Sequence, residues 1–375
     1  MKIKTITCHH VYNHGAYLQA YALVTHLKSM GHDAEIINYR PDYLRGHFKL
    51  TACNPQYSRI GLGWLYILTK LPLRLLALKR KKAFDKFYKQ FIPVTTTEYK
   101  HLNELKINPP IADCYIAGSD QIWNTSFRNG TDAAFYLDFG SRNTLRISYA
   151  ASFATEKLEP HAVNFVKTAL HNFDHISVRE ESGLNILQEH GFNGSIVVDP
   201  VFLLPPSHWY NSASTQVTSD DYVLIYDFEK CDTVKQIAKK IAQKLGLKIY
   251  SVSPYRLKYA DKNFINYGPD SFIGLIKNAR YVISNSFHGT VFALIFNKDF
   301  IITKRSDGLN IRMSDLCNRY NLSSRIVDTT TPISDLIKPI DYAQIQPLIE
   351  ADINSSKSYL EKCLGTIQND QNCEK

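Results

Sequence analysis

The stretch best equipped for chemistry is Ser284-Asn285-Ser286-Phe287-His288-Gly289-Thr290. It lies between an apolar run, Tyr281–Ser284, that reads as a buried parallel strand, and Val291–Phe296, which reads as a helix stopped at Asn297-Lys298. A small, hydroxyl-rich turn at a helix N-terminus offers an anion unpaired N–H groups and the positive end of the helix dipole. Ser286 and Thr290 supply hydroxyls, and Gly289 lets a ligand approach the backbone. His288 supplies the side-chain type suited to proton exchange near neutral pH. The same residues also fit an ordinary βα turn capped by Ser or Thr.

Other candidates fall at predicted strand ends. Gly118-Ser119-Asp120-Gln121-Ile122-Trp123-Asn124 follows a predicted strand at 113–117. Asp120 is thus an acid in a glycine turn, a site candidate or a turn cap. Arg179 closes a predicted strand at 174–178, where a guanidinium can fork onto a carboxylate or phosphate or pair with Glu180 or Glu181. Ser195–Val198 reads as a further strand, stopped by Asp199-Pro200. Asn13, His14 and Gly15 follow the first strand. Lys304 and Arg305 follow a strand at 300–303, and Arg312 is close behind. His9, His10 and His14 share no clear face and read as incidental turn histidines, so no metal site is expected.

These positions require a scaffold. A chain of 375 residues suggests two domains. It opens β-α-β: strand 3–8, helix 16–30 closed by Gly31, strand 34–38. A second unit starts near Asp221, with strand 222–226, helix 233–245 capped by Gly246, strand 248–252, helix 271–278, the strand–turn–helix around His288 and strand 300–303. The chain therefore reads as α/β, with two Rossmann-like halves that bind ligands at the carboxyl ends of their strands. Pro205, Pro206 and the polar run 211–220 read as a linker. The expected division is a first domain at 1–204 and a second at 205–341. A last helix, about 342–369, carries Ile349, Ile353, Leu360, Leu364 and Ile367 on one stripe and is expected to pack back on the first domain.

Composition narrows the partners. Hydrophobic residues make up 44% and charged residues 21%, ordinary for a globular protein. No apolar run reaches membrane-spanning length, and Met1-Lys2-Ile3-Lys4 leads straight into a strand, so a cytoplasmic location is expected. Seven cysteines with no Cys-x-x-Cys pair argue against a disulfide framework or a zinc knuckle. The net charge is +9, and residues 70–89 alone hold eight basic side chains (Lys70, Arg74, Lys79, Arg80, Lys81, Lys82, Lys86, Lys89) against Asp85. Trp64, Leu65, Tyr66, Ile67 and Leu68 precede this block, and Pro72 is expected to break or kink the helix. Residues 64–91 fit a peripheral anchor on an anionic membrane surface, the inner face of the plasma membrane. They equally fit a helix that packs its aromatics on the sheet and solvates its lysines. No nucleic-acid fold signature accompanies the charge.

Five motifs occur in order: Asn13-His14-Gly15-Ala16-Tyr17-Leu18-Gln19-Ala20, Gly118–Asn124, Ile176-Ser177-Val178-Arg179-Glu180, Val198-Asp199-Pro200-Val201-Phe202-Leu203 and Ser286-Phe287-His288-Gly289. Together they resemble the polysaccharide pyruvyl transferase family over almost the whole chain. The resemblance implies a GT-B-like fold, two Rossmann-like domains facing across a cleft. It implies phosphoenolpyruvate as donor, a sugar of a surface glycan or its lipid-linked precursor as acceptor, a pyruvate ketal as product, and no cofactor. In one departure, family members often carry Arg-Leu-His-Gly where this chain has Ser286-Phe287-His288-Gly289. Lys304, Arg305 and Arg312 are the candidates to replace that arginine. Ketal formation needs an acid, a base and cations for a carboxylate and a phosphate. His288 is the expected proton donor and Asp120 the acceptor of the attacking hydroxyl's proton. Arg179 is the first choice for the donor's anions, with Asn13, Gly15, Ser286, Gly289 and Thr290 beside it. A GT-B glycosyltransferase using a sugar nucleotide is the alternative. A non-catalytic membrane scaffold would explain the basic segment but not the ordered motifs.

Overall fold

Two parallel sheets organise the chain. The computed structural model describes residues 1–44, 63–213, 220–305 and 310–370. The first sheet holds β1 (Lys2–Ile6), β2 (Asp33–Tyr39), β3 (Val94–Tyr99), β4 (Cys114–Ala117) and β5 (Leu145–Ser148), in the order β3-β2-β1-β4-β5. A short parallel pair, β6 (Ser177–Val178) and β7 (Ser195–Ile196), continues it through single bridges from Ile147 to His175 and from Ala151 to Val178. The second sheet holds β8 (Tyr222–Tyr226), β9 (Lys248–Ser251), β10 (Lys262–Asn263), β11 (Tyr281–Ser284), β12 (Asp299–Thr303) and β13 (Ile326–Val327), in the order β10-β9-β8-β11-β12-β13. In each sheet the strand order reverses beside its first strand, between β1 and β4 and between β8 and β11. Such reversals open a crevice at the carboxyl ends of the strands.

The central strands are apolar runs because both faces of the sheet are covered there. All five residues of β8 and all four of β11 are buried. On one face, Val223, Ile225 and Ile283 pack against Val234, Ile237 and Ile241 of the Asp232–Leu245 helix. On the other, Leu224, Tyr226 and Val282 meet Phe272 and Phe292, and the same cluster runs on to Tyr17, Leu18 and Phe84 of the first half. The two sheets therefore share one apolar core.

Several expectations need correction. The helix bearing His288 spans Phe287–Ile295, so His288, Gly289 and Thr290 form its first turn and not a preceding loop. Ser286 has extended backbone angles and stands as N-cap, and burial of Phe287 to Leu294 overrides the weak propensity of His-Gly-Thr. The expected linker contains a helix, Pro206–Ser212, started by its proline and anchored by fully buried Trp209, whose Nε1 donates to the Val201 carbonyl at 3.0 Å. Residues 214–219 of that linker lie outside the described residues. The strand expected at 174–178 shrinks to Ser177–Val178.

The Gly63–Phe91 helix runs through Pro72 without breaking. Leu68, whose carbonyl loses its partner there, is exposed, so water can satisfy it. One face of its second half is buried. Arg80, Phe84, Phe87 and Tyr88 are buried, and Arg80 donates to the carbonyls of Ile265 (3.0 Å) and Tyr12 (3.4 Å). The last helix, Tyr342–Asp370, touches both halves. Tyr342 Oη donates to the Lys298 carbonyl at 2.6 Å, Ser356 Oγ accepts from Val198 N at 2.9 Å, and Tyr359 Oη donates to the Ser148 carbonyl at 3.0 Å. Ile349, Leu360 and Leu364 are buried, while the Ile367 side chain lies outside the described ones.

Candidate active site

The carboxylate of Asp199 gathers groups from both sheets. Arg179 Nη1 donates to its Oδ2 at 2.7 Å and Ser119 Oγ to the same oxygen at 3.2 Å. His288 Nε2 lies 3.5 Å from that oxygen. Oδ1 accepts from Val201 N at 3.2 Å, as Asp199 caps the short helical turn Pro200–Leu203. The Asp-Pro step thus ends one element and aims a carboxylate inward. Asp199 is fully buried. Burial opposes its ionisation, but the neighbouring His288 and Arg179 outweigh this and hold its pKa well below the usual carboxylate range.

Arg179 directly follows β6. Its Nε is 3.6 Å from Glu180 Oε2, and its guanidinium carbon is 4.1 Å from the centre of the Phe287 ring. Nε and Nη2 are buried without a hydrogen-bond partner. Burial works against the charge, yet Asp199 and Glu180 raise the Arg179 pKa further. Glu180 is itself buried and held, its Oε1 accepting from Ser152 Oγ at 2.6 Å and Ala154 N at 3.0 Å.

Arg312, in the Ile311–Arg319 helix, reaches the same ring at 5.8 Å. With the Gln121 amide oxygen turned towards it, Arg312 Nη2 donates at 2.7 Å and Nη1 at 3.2 Å. Burial and the charge of Arg179 bring the Arg312 pKa down to about 10. Two guanidinium groups so close in a buried setting favour an anion between them. Arg179, Glu180, Asp199, Phe287 and Arg312 line a cavity of about 290 Å³.

The N-terminus of the His14–Ser29 helix abuts His288. Asn13 caps this helix, its Oδ1 accepting from Gly15 N at 2.9 Å and Ala16 N at 3.4 Å. A Cβ on Gly15 would overlap Nδ1 of the His288 ring. The imidazole therefore turns Nε2 to Asp199 and Nδ1 to Gly15. Asp120 follows β4 with a φ of +74°, a left-handed conformation uncommon for residues other than glycine, though aspartate enters it more readily than most. Its carbonyl accepts from Ser152 N at 3.1 Å, and its charge acts on both Arg179 and Arg312.

The remaining predicted residues serve the scaffold or stand aside. Gly289 is packed so tightly that a Cβ would overlap Ser284 Oγ. Thr290 Oγ1 donates to the Ser286 carbonyl at 3.2 Å inside the helix, and the Ser286 side chain makes no capping bond. Arg305 sits 5.5 Å from the Phe228 ring, and its charge acts on Arg312, while Lys304 is exposed. Of the three cations considered as replacements for the missing arginine, Arg312 is the one stacked on Phe287 beside Arg179. Among the histidines, His14 stacks on Phe272 at 4.7 Å with both ring nitrogens buried and unbonded, and burial lowers its pKa well below the ordinary value. Among the described residues, no group of three or more His, Cys, Asp or Glu side chains is placed to hold a metal ion.

Sequence reasoning did not select Asp199, Ser119, Glu180, Gln121 or Phe287 as site residues. Asp199 was the most accessible of these, as an acid directly after an apolar run and before proline, but it read as a strand stop. Gln121 and Phe287 lie inside quoted motifs, but their partners are distant in sequence: the fold sets Gln121 to hydrogen-bond Arg312 and places Phe287 under Arg179 and Arg312.

Among solved structures, the chain resembles a glycosyltransferase of avilamycin A biosynthesis, at 10% identity and a TM-score of 0.50 over 97% of each chain. It also resembles the UDP-GlcNAc 2-epimerase of Neisseria meningitidis, at 11% identity and a TM-score of 0.47 over 97% of this chain and 100% of that one. At 10% identity the likeness to the avilamycin enzyme is one of fold alone: two Rossmann-like domains in a GT-B-like arrangement. Comparison with curated proteins finds no match. The family model described as polysaccharide pyruvyl transferase matches residues 13–307. That span covers most of the chain, from the Asn13 cap through Arg179 and Asp199 to His288 and beyond β12, with Arg312 just past its end, and the chain belongs to the polysaccharide pyruvyl transferase family.

Proposed function

We propose that this protein transfers pyruvate from phosphoenolpyruvate to two hydroxyls of one sugar, in a surface glycan or its lipid-linked precursor, forming a ketal and releasing phosphate. The observation that carries this reading is the pair of buried guanidinium groups, Arg179 and Arg312, on one Phe287 ring beside the Asp199–His288 contact. A donor with a carboxylate and a phosphate suits two such groups.

In this reading His288 gives a proton to the methylene carbon of the donor, leaving positive charge at C2. A sugar hydroxyl adds to C2 and passes its proton to Asp120. Phosphate then leaves with the C2–O bonding pair and takes up the proton held by Asp120, and the second hydroxyl closes the ketal ring, passing its proton back to His288. Asp199 faces Nε2 and orients the imidazole, and Arg179 and Arg312 bind the donor's anions. No step requires a cofactor.

The test is release of inorganic phosphate from phosphoenolpyruvate with candidate glycan acceptors. Release that depends on acceptor, with pyruvate retained in the product, is expected. Consumption of a sugar nucleotide with transfer of its sugar, and no phosphate from phosphoenolpyruvate, would instead establish a glycosyltransferase.

A further inference from the structure

The Gly63–Phe91 helix carries a second feature, separate from the cleft. At about 3.6 residues per turn, Trp64, Leu68, Leu75, Lys79, Lys82, Lys86 and Lys89 fall on one stripe. All seven are exposed, with Trp64 at 63%, Leu68 at 54% and Leu75 at 50%. The opposite face, with Arg80, Phe84 and Phe87, is buried against the protein. The stripe thus changes character along its length, from large apolar side chains to lysines. No acid occurs from Gly63 to Phe84, and Asp85, the first, is held by Lys81 and by Tyr12 Oη. Leu65 lies beside the apolar end and is also exposed. No helix among the described residues is long and apolar enough to cross a membrane.

We propose that this stripe is a docking surface for an anionic lipid bilayer, with Trp64, Leu68 and Leu75 entering the interface and Lys79, Lys82, Lys86 and Lys89 lying along the headgroups. The order of side chains decides the occupant. An amphipathic helix that lies in a bilayer interface needs an apolar part to bury and cations facing the phosphates. From Trp64 to Lys89 the stripe runs for about 35–40 Å at 1.5 Å per residue, enough for both parts to engage a flat surface together. Its buried half grips the cleft, because Arg80 bonds the Tyr12 carbonyl just before the Asn13 cap. Docking would therefore hold the site at a fixed height above the membrane. Such docking depends on the helix surface and not on the reaction.

Vesicle co-sedimentation tests it without any turnover assay, so the docking and the pyruvyl transfer can fail separately. The full-length chain should sediment with phosphatidylcholine vesicles containing phosphatidylglycerol, remain free with phosphatidylcholine alone, and release as salt rises. The triple variant Lys79→Gln/Lys82→Gln/Lys86→Gln should lower partitioning by about 10²-fold. Trp64→Ser/Leu68→Ser/Leu75→Ser should abolish it. Every changed side chain is exposed, so circular dichroism should stay that of the wild type for both. A wild type that stays in the supernatant with anionic vesicles at low salt overturns the proposal, as does undiminished binding by both variants. A stripe that instead pairs two copies, seen as a dimer dissolved by the serine variant with no vesicle binding, overturns it as well.

Discussion

Gly15 presses against His288: one sheet ends in a helix N-terminus with no side chain, and the other supplies the imidazole that fills the space. The two Rossmann-like halves meet at this point, so the geometry of the ring depends on a residue some 270 positions away in sequence. Gly15→Ala should displace the imidazole. We expect turnover to fall by about 10²-fold, the scale set by misplacement of a reacting group, while circular dichroism stays unchanged. A folded variant with wild-type rate would separate Gly15 from the reaction.

His288→Gln keeps much of the side-chain volume and removes the proton donor. Turnover with phosphoenolpyruvate should drop by about 10²–10⁴-fold, the range for general acid catalysis, with donor binding by calorimetry changed far less. Loss of binding equal to the loss of rate would assign His288 to donor binding alone.

Arg179→Ala and Arg179→Lys should both weaken donor affinity, and lysine should not restore it, because a point charge cannot replace a planar fork stacked on Phe287. Arg312→Lys should behave the same way. Titration with phosphoenolpyruvate reads the effect, and an Arg179→Lys protein that binds like the wild type would exclude the bidentate role.

Asp199→Asn leaves Arg179 buried beside a neutral amide. Breaking a buried pair from one side costs about 3–5 kcal/mol, so a clear drop in Tm is expected. The pH dependence follows from the depressed folded-state pKa of Asp199. Its contribution to stability is fully present above the unfolded carboxylate pKa, about 4, and is lost as pH falls from there towards the lower folded value. The wild type should therefore lose stability below about pH 4, and Asp199→Asn should show a shallower acid slope. Parallel slopes for the two proteins would place the acid sensitivity elsewhere.

Much of this was written locally. Short apolar runs bounded by Gly, Pro and Asn located the central strands because both faces of the sheet are covered there, and Tyr222–Tyr226 and Tyr281–Ser284 read directly as buried strands. The ordered motifs around Asn13, Asp120, Arg179, Asp199 and His288 identified the family before any geometry, because each sits at a strand end or helix start where local residue types are constrained. What needed the tertiary structure was pairing. Asp199 read as a strand stop until packing turned its carboxylate onto Arg179 and His288. Arg312 was one of three equivalent cations until the Ile311–Arg319 helix brought it to Phe287. Within the basic block at 70–89 the sequence did not separate one lysine or arginine from another, and docking of the Gly63–Phe91 helix against the core sorted Arg80 inward and Lys79 and Lys82 outward. Local sequence determines where an element begins and which residue types it carries. Which side chains meet across distant elements depends on how the shared core closes, and that is set by burial summed over the whole chain.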